Sequence, residues 1–208
     1  VFQGVGCRAV RSLVGHTDVI VTADVSPCGG FVVTGSKDRT VRLWGLSEAG
    51  ADATNQMAPC IATSPLHDDD VTAVCVARDA SGTAEGLTAF SATSHGDLKY
   101  WHIGRAIKAR RAAVAEGAVG LPPAAPLALL ASNNALHDGA IHCASFAPNS
   151  ATLIATAGKD KSIHILEVRG KRDLGAEKMA TLKGHRRAVN HIAFSPTERV
   201  LASASNDA

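Results

Sequence analysis

The stretch Leu13 to Trp44, LVGHTDVIVTADVSPCGGFVVTGSKDRTVRLW, decides how the chain is read. Gly15-His16 opens it. An apolar alternation runs from Val19 to Val25, a turn follows at Ser26-Pro27-Cys28-Gly29-Gly30, and a second apolar segment spans Phe31 to Thr34. A tight turn at Ser36-Lys37-Asp38-Arg39 then leads through Val41 and Leu43 to Trp44. Strand side chains point alternately to two faces. A period of two, cut at short intervals by Gly, Pro, Asp and Ser, therefore predicts short antiparallel strands joined by hairpins.

The parts of this unit recur three more times in the same order. The second copy opens at Leu66-His67, with strands at Val71 to Ala77 and Leu87 to Ser91, and then Ser94-His95-Gly96-Asp97-Leu98-Lys99-Tyr100-Trp101. Counting back six from Trp101 puts His95 where the first copy has Asp38. The third runs from Leu136-His137 through Ile141 to Phe146, turns at Ala147-Pro148-Asn149, continues from Leu153 to Thr156, and turns again at Gly158-Lys159-Asp160-Lys161, with Leu166 in the place of Trp44. The fourth has Gly184-His185, Val189 to Phe194, Ser195-Pro196, Val200 to Ser203 and Asp207.

Gly15-His16, Asp38, Trp44, Trp101, Asp160, Gly184-His185 and Asp207 together resemble the WD-repeat β-propeller family over nearly the whole chain, with departures at His67, His95 and Leu166. The resemblance implies an all-β fold, a propeller fragment covering about four blades of a larger ring. The expected division is 1–14 as the outer strand of a preceding blade, 15–64 as the first blade, 65–132 as the second with an insertion over 104–134, 133–182 as the third, and 183–208 as a truncated fourth. The opening histidines, 16, 67, 137 and 185, are spaced more widely than the repeat's usual 40–45 residues, which the insertions explain.

In that family the opening His, a strand Ser or Thr, the turn Asp and the Trp form a buried hydrogen-bonded chain. The resemblance implies His16, Thr34, Asp38 and Trp44 in the first blade and His67, Ser91, His95 and Trp101 in the second. His137, Thr156 and Asp160 follow in the third, with His185, Ser203 and Asp207 in the fourth. A buried carboxylate needs donors and a buried indole N–H needs an acceptor, so these groups satisfy one another. Removing one is expected to cost about 1–3 kcal/mol. The second blade, with His95 for the carboxylate, is expected to be the less stable.

The 208 residues are 46% hydrophobic and 19% charged, enough for a core and too apolar for disorder. A net charge of +2 does not mark a nucleic-acid binder. Five scattered cysteines, none in a Cys-x-x-Cys pair, argue against a disulfide framework or a cysteine zinc site and for reduced thiols inside a cell. The Asp68-Asp69-Asp70 run lacks the spaced ligands of a calcium loop and is read as solvated. No apolar run reaches membrane-spanning length. Between Trp101 and the third copy, Gly104 to Asn134 is Ala-rich. It allows a short helix up to Gly117, stopped by Leu121-Pro122-Pro123, with an outer strand at Leu127 to Leu130. This insertion is read as solvated and mobile, with Arg105, Lys108, Arg110 and Arg111 as phosphate contacts at most.

No Gly-x-Ser-x-Gly elbow, His-Glu-x-x-His or Gly-rich phosphate loop occurs, so no catalytic residue, metal, cofactor or small-molecule substrate is expected. His142 and His191, near His137 and His185, lie where strand spacing sets no metal-binding face. Two segments, LHDGAIHCASFAPNSATLIATAGKDKSIHILEV (Leu136 to Val168) and TLKGHRRAVNHIAFSPTERVLASASNDA (Thr181 to Ala208), are similar to the transducin-β-like, tandem-propeller proteins of the small-subunit processome. That resemblance implies a protein-interaction scaffold in pre-rRNA processing and ribosome biogenesis, in the nucleolus, with protein partners in a multi-subunit complex, weak or indirect RNA contact and no membrane. An adaptor of another complex, a ubiquitin-ligase substrate receptor or a G-protein-β-like signalling scaffold, stays open. Family contacts fall just before the turn Asp and on each first strand, which here gives Lys37, Lys159 and Asn206 with Val21, Thr72, His142 and Asn190.

Overall fold

The computed structural model describes residues 2–3, 8–9, 11–46, 57–77, 83–116, 123–148, 150, 152–169 and 175–207. A short hairpin, β1 (Phe2–Gln3) with β2 (Arg8–Ala9), precedes the repeats. This pair falls within 1–14, the stretch expected as the outer strand of a preceding blade. Ser12 instead bridges to Met57 beside the first sheet.

The first quoted stretch folds as three antiparallel strands, β3 (Ile20–Val25), β4 (Phe31–Ser36) and β5 (Val41–Gly45), extended outward by β6 (Cys60–Thr63). The second sheet runs β7 (Val71–Val76), β8 (Thr88–Thr93) and β9 (Leu98–His102). A helix, α1 (Ile103–Ala115), follows directly. After it, β10 (Ala125–Pro126) adds parallel to β6, and β11 (Ala128–Asn133) closes the outer side of the second sheet against β9. The third sheet is β12 (Ile141–Phe146), β13 (Leu153–Gly158), β14 (Ser162–Arg169) and β15 (Gly175–Lys183); β16 (Val189–Phe194) and β17 (Leu201–Ser205) form the last. The innermost strands β3, β7, β12 and β16 touch in succession, so the sheets stand side by side as propeller blades.

The cores lie between blades. One joins Phe31, Val33 and Leu43 to Val74, Trp101 and the helix; the next joins Phe90 and Leu98 to Ile141, Ile154 and Leu166; the last joins Ala155 and Ile163 to Val189 and Ile192. Alternating strands bury one face against each neighbour, which is why a single blade has no core of its own.

The insertion departs most from expectation. Ile103, Ala106, Ile107 and Arg110, at helical spacing, are buried, and the first three join the core under Phe31 and Leu43. The residues are placed as a packed helix, and the reading of a solvated, mobile insertion is corrected. The four-residue periodicity is masked in the sequence because small alanines carry much of the helix. Gly104 permits the docking: its backbone N–H donates to Leu87 at 2.9 Å, and a Cβ there would sit 1.9 Å from the Glu85 carbonyl oxygen. The outer strand predicted at Leu127 to Leu130 falls at Ala128–Asn133.

Candidate interaction face and its buried polar chains

In the first blade, Trp44 Nε1–H donates to the Thr34 hydroxyl at 2.8 Å, that hydroxyl donates to His16 Nε2 at 2.7 Å, and His16 Nδ1–H donates to Asp38 at 2.7 Å. Asp38 also accepts from the Thr40 hydroxyl at 2.6 Å, the Thr40 N–H at 2.9 Å and the Thr17 N–H at 3.1 Å. Burial opposes its charge, but the hydrogen bonds from Thr40, His16 and Thr17 outweigh it and hold the carboxyl well below its usual range. The same bonds hold the turn, in which Arg39 adopts a left-handed φ of 63°.

The second blade solves the problem differently. Trp101 donates to Ser91 at 2.7 Å and Ser91 meets His67 Nε2 at 2.8 Å, but His67 Nδ1 donates at 3.1 Å to the Arg39 carbonyl of the preceding blade. His95, assigned to this chain by register, is not in it. Its side chain is exposed and reaches Asp69, which also accepts from the Ser94 hydroxyl at 2.6 Å. The turn geometry is kept by Gly96, φ 88°, so no carboxylate is needed to hold it. Gly96 also lets the third blade close in: a Cβ would lie 2.2 Å from the His137 carbonyl oxygen. Asp69, read as one of a solvated run, is held down to about 2 by the Ser94 and His95 hydrogen bonds.

In the third blade His137 Nδ1 lies 3.0 Å from both Asp160 oxygens and its Nε2 2.8 Å from the Thr156 hydroxyl. Burial opposes ionisation of Asp160, but bonds from His137 and Ser162 bring it to about 2. Ser162 and His164, absent from the sequence-based assignment, complete the cluster, with His164 Nε2 2.8 Å from the Ser162 hydroxyl. The signal was available: His164, like Arg42 and Lys99, stands two residues before the Trp position. In the last blade His185 meets Asp207 at 3.0 Å and Ser203 at 2.8 Å.

The predicted contact residues divide. Lys37, Lys159, Asn190 and Asn206 are exposed, as is Val21. Asn190 donates to Asn206 at 3.0 Å, so those two form one unit. Thr72 and His142 are not free of structural duty. The Thr72 hydroxyl donates to the Ile141 carbonyl at 2.5 Å and His142 Nδ1–H to the Val189 carbonyl at 3.2 Å, each stapling its blade to the next. The reason is a shared bulge. Val21, Thr72, His142 and Asn190 each occupy the unpaired residue between ladder partners of the inner strand, and at Thr72 and His142 this bulge turns the side chain toward the neighbouring blade. Val21 cannot donate. At its seam Thr22 accepts from the Val74 N–H at 3.2 Å and Asp24 from the Val76 N–H at 2.8 Å. Val21, Thr72 and His142 border a cavity of about 560 Å³ between the inner strands.

The basic residues of α1, expected as phosphate contacts at most, differ in burial and partners. Arg110 is buried at 5% exposure, Lys108 reaches Glu85 at 3.5 Å, and the Arg111 guanidinium lies 5.8 Å over the Phe31 ring, while Arg105 faces solvent. At i, i+3 and i+6, Arg105, Lys108 and Arg111 share the exposed side of the helix, and Arg110 alone turns to the core. Cys28, Cys60, Cys75 and Cys143 are free thiols, and Cys7 lies outside the described residues. Among the described residues no helix is long and apolar enough to cross a membrane.

Comparison with known proteins gives the context. The chain is 29% identical to Transducin beta-like protein 3 of Mus musculus over 188 residues, 89% of the chain and 20% of that protein. It is 27% identical to Autophagy-related protein 16 of Arabidopsis thaliana over 203 residues, 96% of the chain and 32% of that protein. A shorter match, 38% over 61 residues, covers 27% of the chain and 8% of the Ribosome biogenesis protein BOP1 homolog of Drosophila grimshawi. The chain thus spans about a fifth of the length of the transducin-β-like relatives it matches. Residues 7–45, 134–166 and 176–208 match the WD domain, G-beta repeat pattern. These spans take in half the chain and hold the three blades in which His, a hydroxyl residue and Asp meet, and the chain belongs to the WD40 family of G-beta repeat proteins.

Proposed function

We propose that this chain is a non-catalytic docking scaffold in a multi-subunit assembly, working in pre-rRNA processing and ribosome biogenesis in the nucleolus. The observation that carries the reading is the repeated turn: Lys37, Lys159 and Asn206 are exposed immediately before an Asp tied to its blade by His. A rigid turn presenting a variable side chain suits recognition, because little ordering entropy is lost on binding. Lys37 and Lys159 favour an acidic protein surface, and the exposed Val21 adds an apolar contact. The blade division at 15–64, 65–132, 133–182 and 183–208 belongs to this reading. Similarity to a ribosome biogenesis protein and to transducin-β-like protein supports the choice of pathway.

A second reading, an adaptor of another complex, is favoured by the near full-length alignment with an autophagy-related protein. Affinity purification of the full-length protein from cells separates the two. Recovery of nucleolar processing factors, lost when Lys37 and Lys159 are both changed to Glu, supports the first. Autophagy, ubiquitin-ligase or membrane-signalling partners overturn the pathway and leave the scaffold. Hydrolytic activity in the purified protein overturns both.

A further inference from the structure

His164 has no counterpart in the other blades among the described residues. On the ladder it pairs with Thr156, as Arg42 pairs with Thr34 and Lys99 with Ser91, so a position that carries a long cation in two blades carries an imidazole in the third. The ring is 5% exposed, and its Nδ1 has no hydrogen-bond partner among the described residues. Buried polar nitrogens are nearly always paired, and here only Nε2 is, 2.8 Å from the Ser162 hydroxyl, so hydrogen bonding accounts for half of this ring.

What the ring does is bring a third donor to the His137–Asp160 pair. Its Nε2 lies 3.9 Å from Asp160 Oδ2, the two imidazole centroids are 4.1 Å apart, and ligand atoms of His137, Asp160 and His164 all fall within 4.8 Å of one another. In a tetrahedral zinc site with bonds of about 2.0–2.1 Å, ligand atoms stand about 3.3–3.4 Å apart. The observed 3.0 Å from His137 Nδ1 to Asp160 and 3.9 Å from His164 bracket that distance. We propose that His137, Asp160 and His164 bind a divalent transition-metal ion of the zinc class, with a water held by Ser162 in the fourth position.

The surroundings fit such an ion. Ser162 Oγ lies 2.8 Å from His164 Nε2 and 3.5 Å from His137 Nδ1, between the two ligand nitrogens. Leu166 replaces the indole that donates to Thr34 in the first blade. The Thr156 hydroxyl, with no indole to accept from, can take a bond from His137 Nε2–H, so that on metal binding the ring's proton moves from Nδ1, where it serves Asp160, to Nε2 and the Nδ1 lone pair turns to the metal. Asp160 supplies the anion and, with 15% of its side chain exposed, the entry side. Lys178 and Lys183, whose charges reach His164, oppose the ion and set a limit on affinity.

The test uses the full chain, freed of metal by a chelator and titrated with Zn²⁺ alone and Co²⁺ alone. One equivalent of Zn²⁺ is expected to raise the thermal unfolding midpoint, and Co²⁺ to give visible bands of a four-coordinate nitrogen and oxygen site with no thiolate charge-transfer band. His164→Arg and His164→Lys install the residues of the other blades, and either is expected to weaken Zn²⁺ binding by at least about 100-fold. If neither variant folds, His164→Gln is read by the Co²⁺ spectrum. An unchanged Zn²⁺ response in the variants, a thiolate band, or no response in the parent overturns the proposal.

Discussion

His67 Nδ1 donates to the Arg39 carbonyl oxygen at 3.1 Å, across the seam between the first two blades. The same carbonyl accepts the His67 N–H at 2.8 Å, so one backbone oxygen anchors both the main chain and the side chain of the next blade. The ring is 1% exposed, and burial, with the Lys99 charge adding to it, lowers its pKa to about 4. In the unfolded chain the ordinary value near 6.5 returns. The unfolded state therefore binds a proton through this window while the folded state does not. The stability contribution is present above pH 6.5 and is lost as pH falls toward 4. The loss is on the order of 2–3 kcal/mol. Urea unfolding between pH 7.5 and 4.5 is expected to show a steeper decline for the parent than for His67→Gln, and equal slopes count against this account.

Asp38→Ala should be costly and His95→Ala cheap, although register makes them equivalents. Asp38 accepts four hydrogen bonds, from His16, Thr17 and both donors of Thr40. Its removal strands several buried donors at about 2–3 kcal/mol in all, allowing for partial rehydration. His95 is exposed on a turn that Gly96 already shapes. Its replacement is expected to leave the denaturation midpoint close to the parent's, and comparable losses at the two positions would refute the account of the second blade.

The strands, their order and the His–hydroxyl–Asp chains were legible because alternation and turn residues are local signals, and the repeat supplied them several times. What escaped was set by partners distant in sequence. Nothing near His67 says that Arg39, 28 residues earlier, offers the acceptor. Nothing near Thr72 says that Ile141 lies above it. The bulge that aims Thr72 and His142 at the next blade is a register event between strands, invisible in one strand's composition. The helix was half legible: alanine content permits it, but its burial rests on Ile103 and Ile107 finding the core under Phe31.

The seam staples make a paired prediction. Thr72→Val keeps shape and removes the donor to the Ile141 carbonyl, at an expected cost of about 1 kcal/mol. Val21→Thr, at the equivalent bulge of the first blade, installs a donor where none exists and is expected to raise stability slightly or leave it unchanged. Chemical denaturation of both variants measures this. A stabilising Thr72→Val would mean that the bulge side chains do not couple blades.

The helix prediction separates packing from charge. Ile107 is fully buried against the interblade core, so Ile107→Ala is expected to cost about 2–4 kcal/mol through lost burial and the cavity left behind. Arg105→Glu and Lys108→Glu, on the exposed side, are expected to leave stability nearly unchanged, since surface pairs such as Lys108–Glu85 contribute about 0–1 kcal/mol. If the basic residues formed a phosphate site, the same two reversals would weaken RNA binding and flatten its salt dependence, because each phosphate contact releases a counterion. With Arg110 buried, Lys108 paired to Glu85 and Arg111 over the Phe31 ring, the opposite is expected: RNA affinity and its salt slope stay the same in Arg105→Glu. A tenfold loss of RNA affinity with stability intact would reinstate α1 as a nucleic-acid contact.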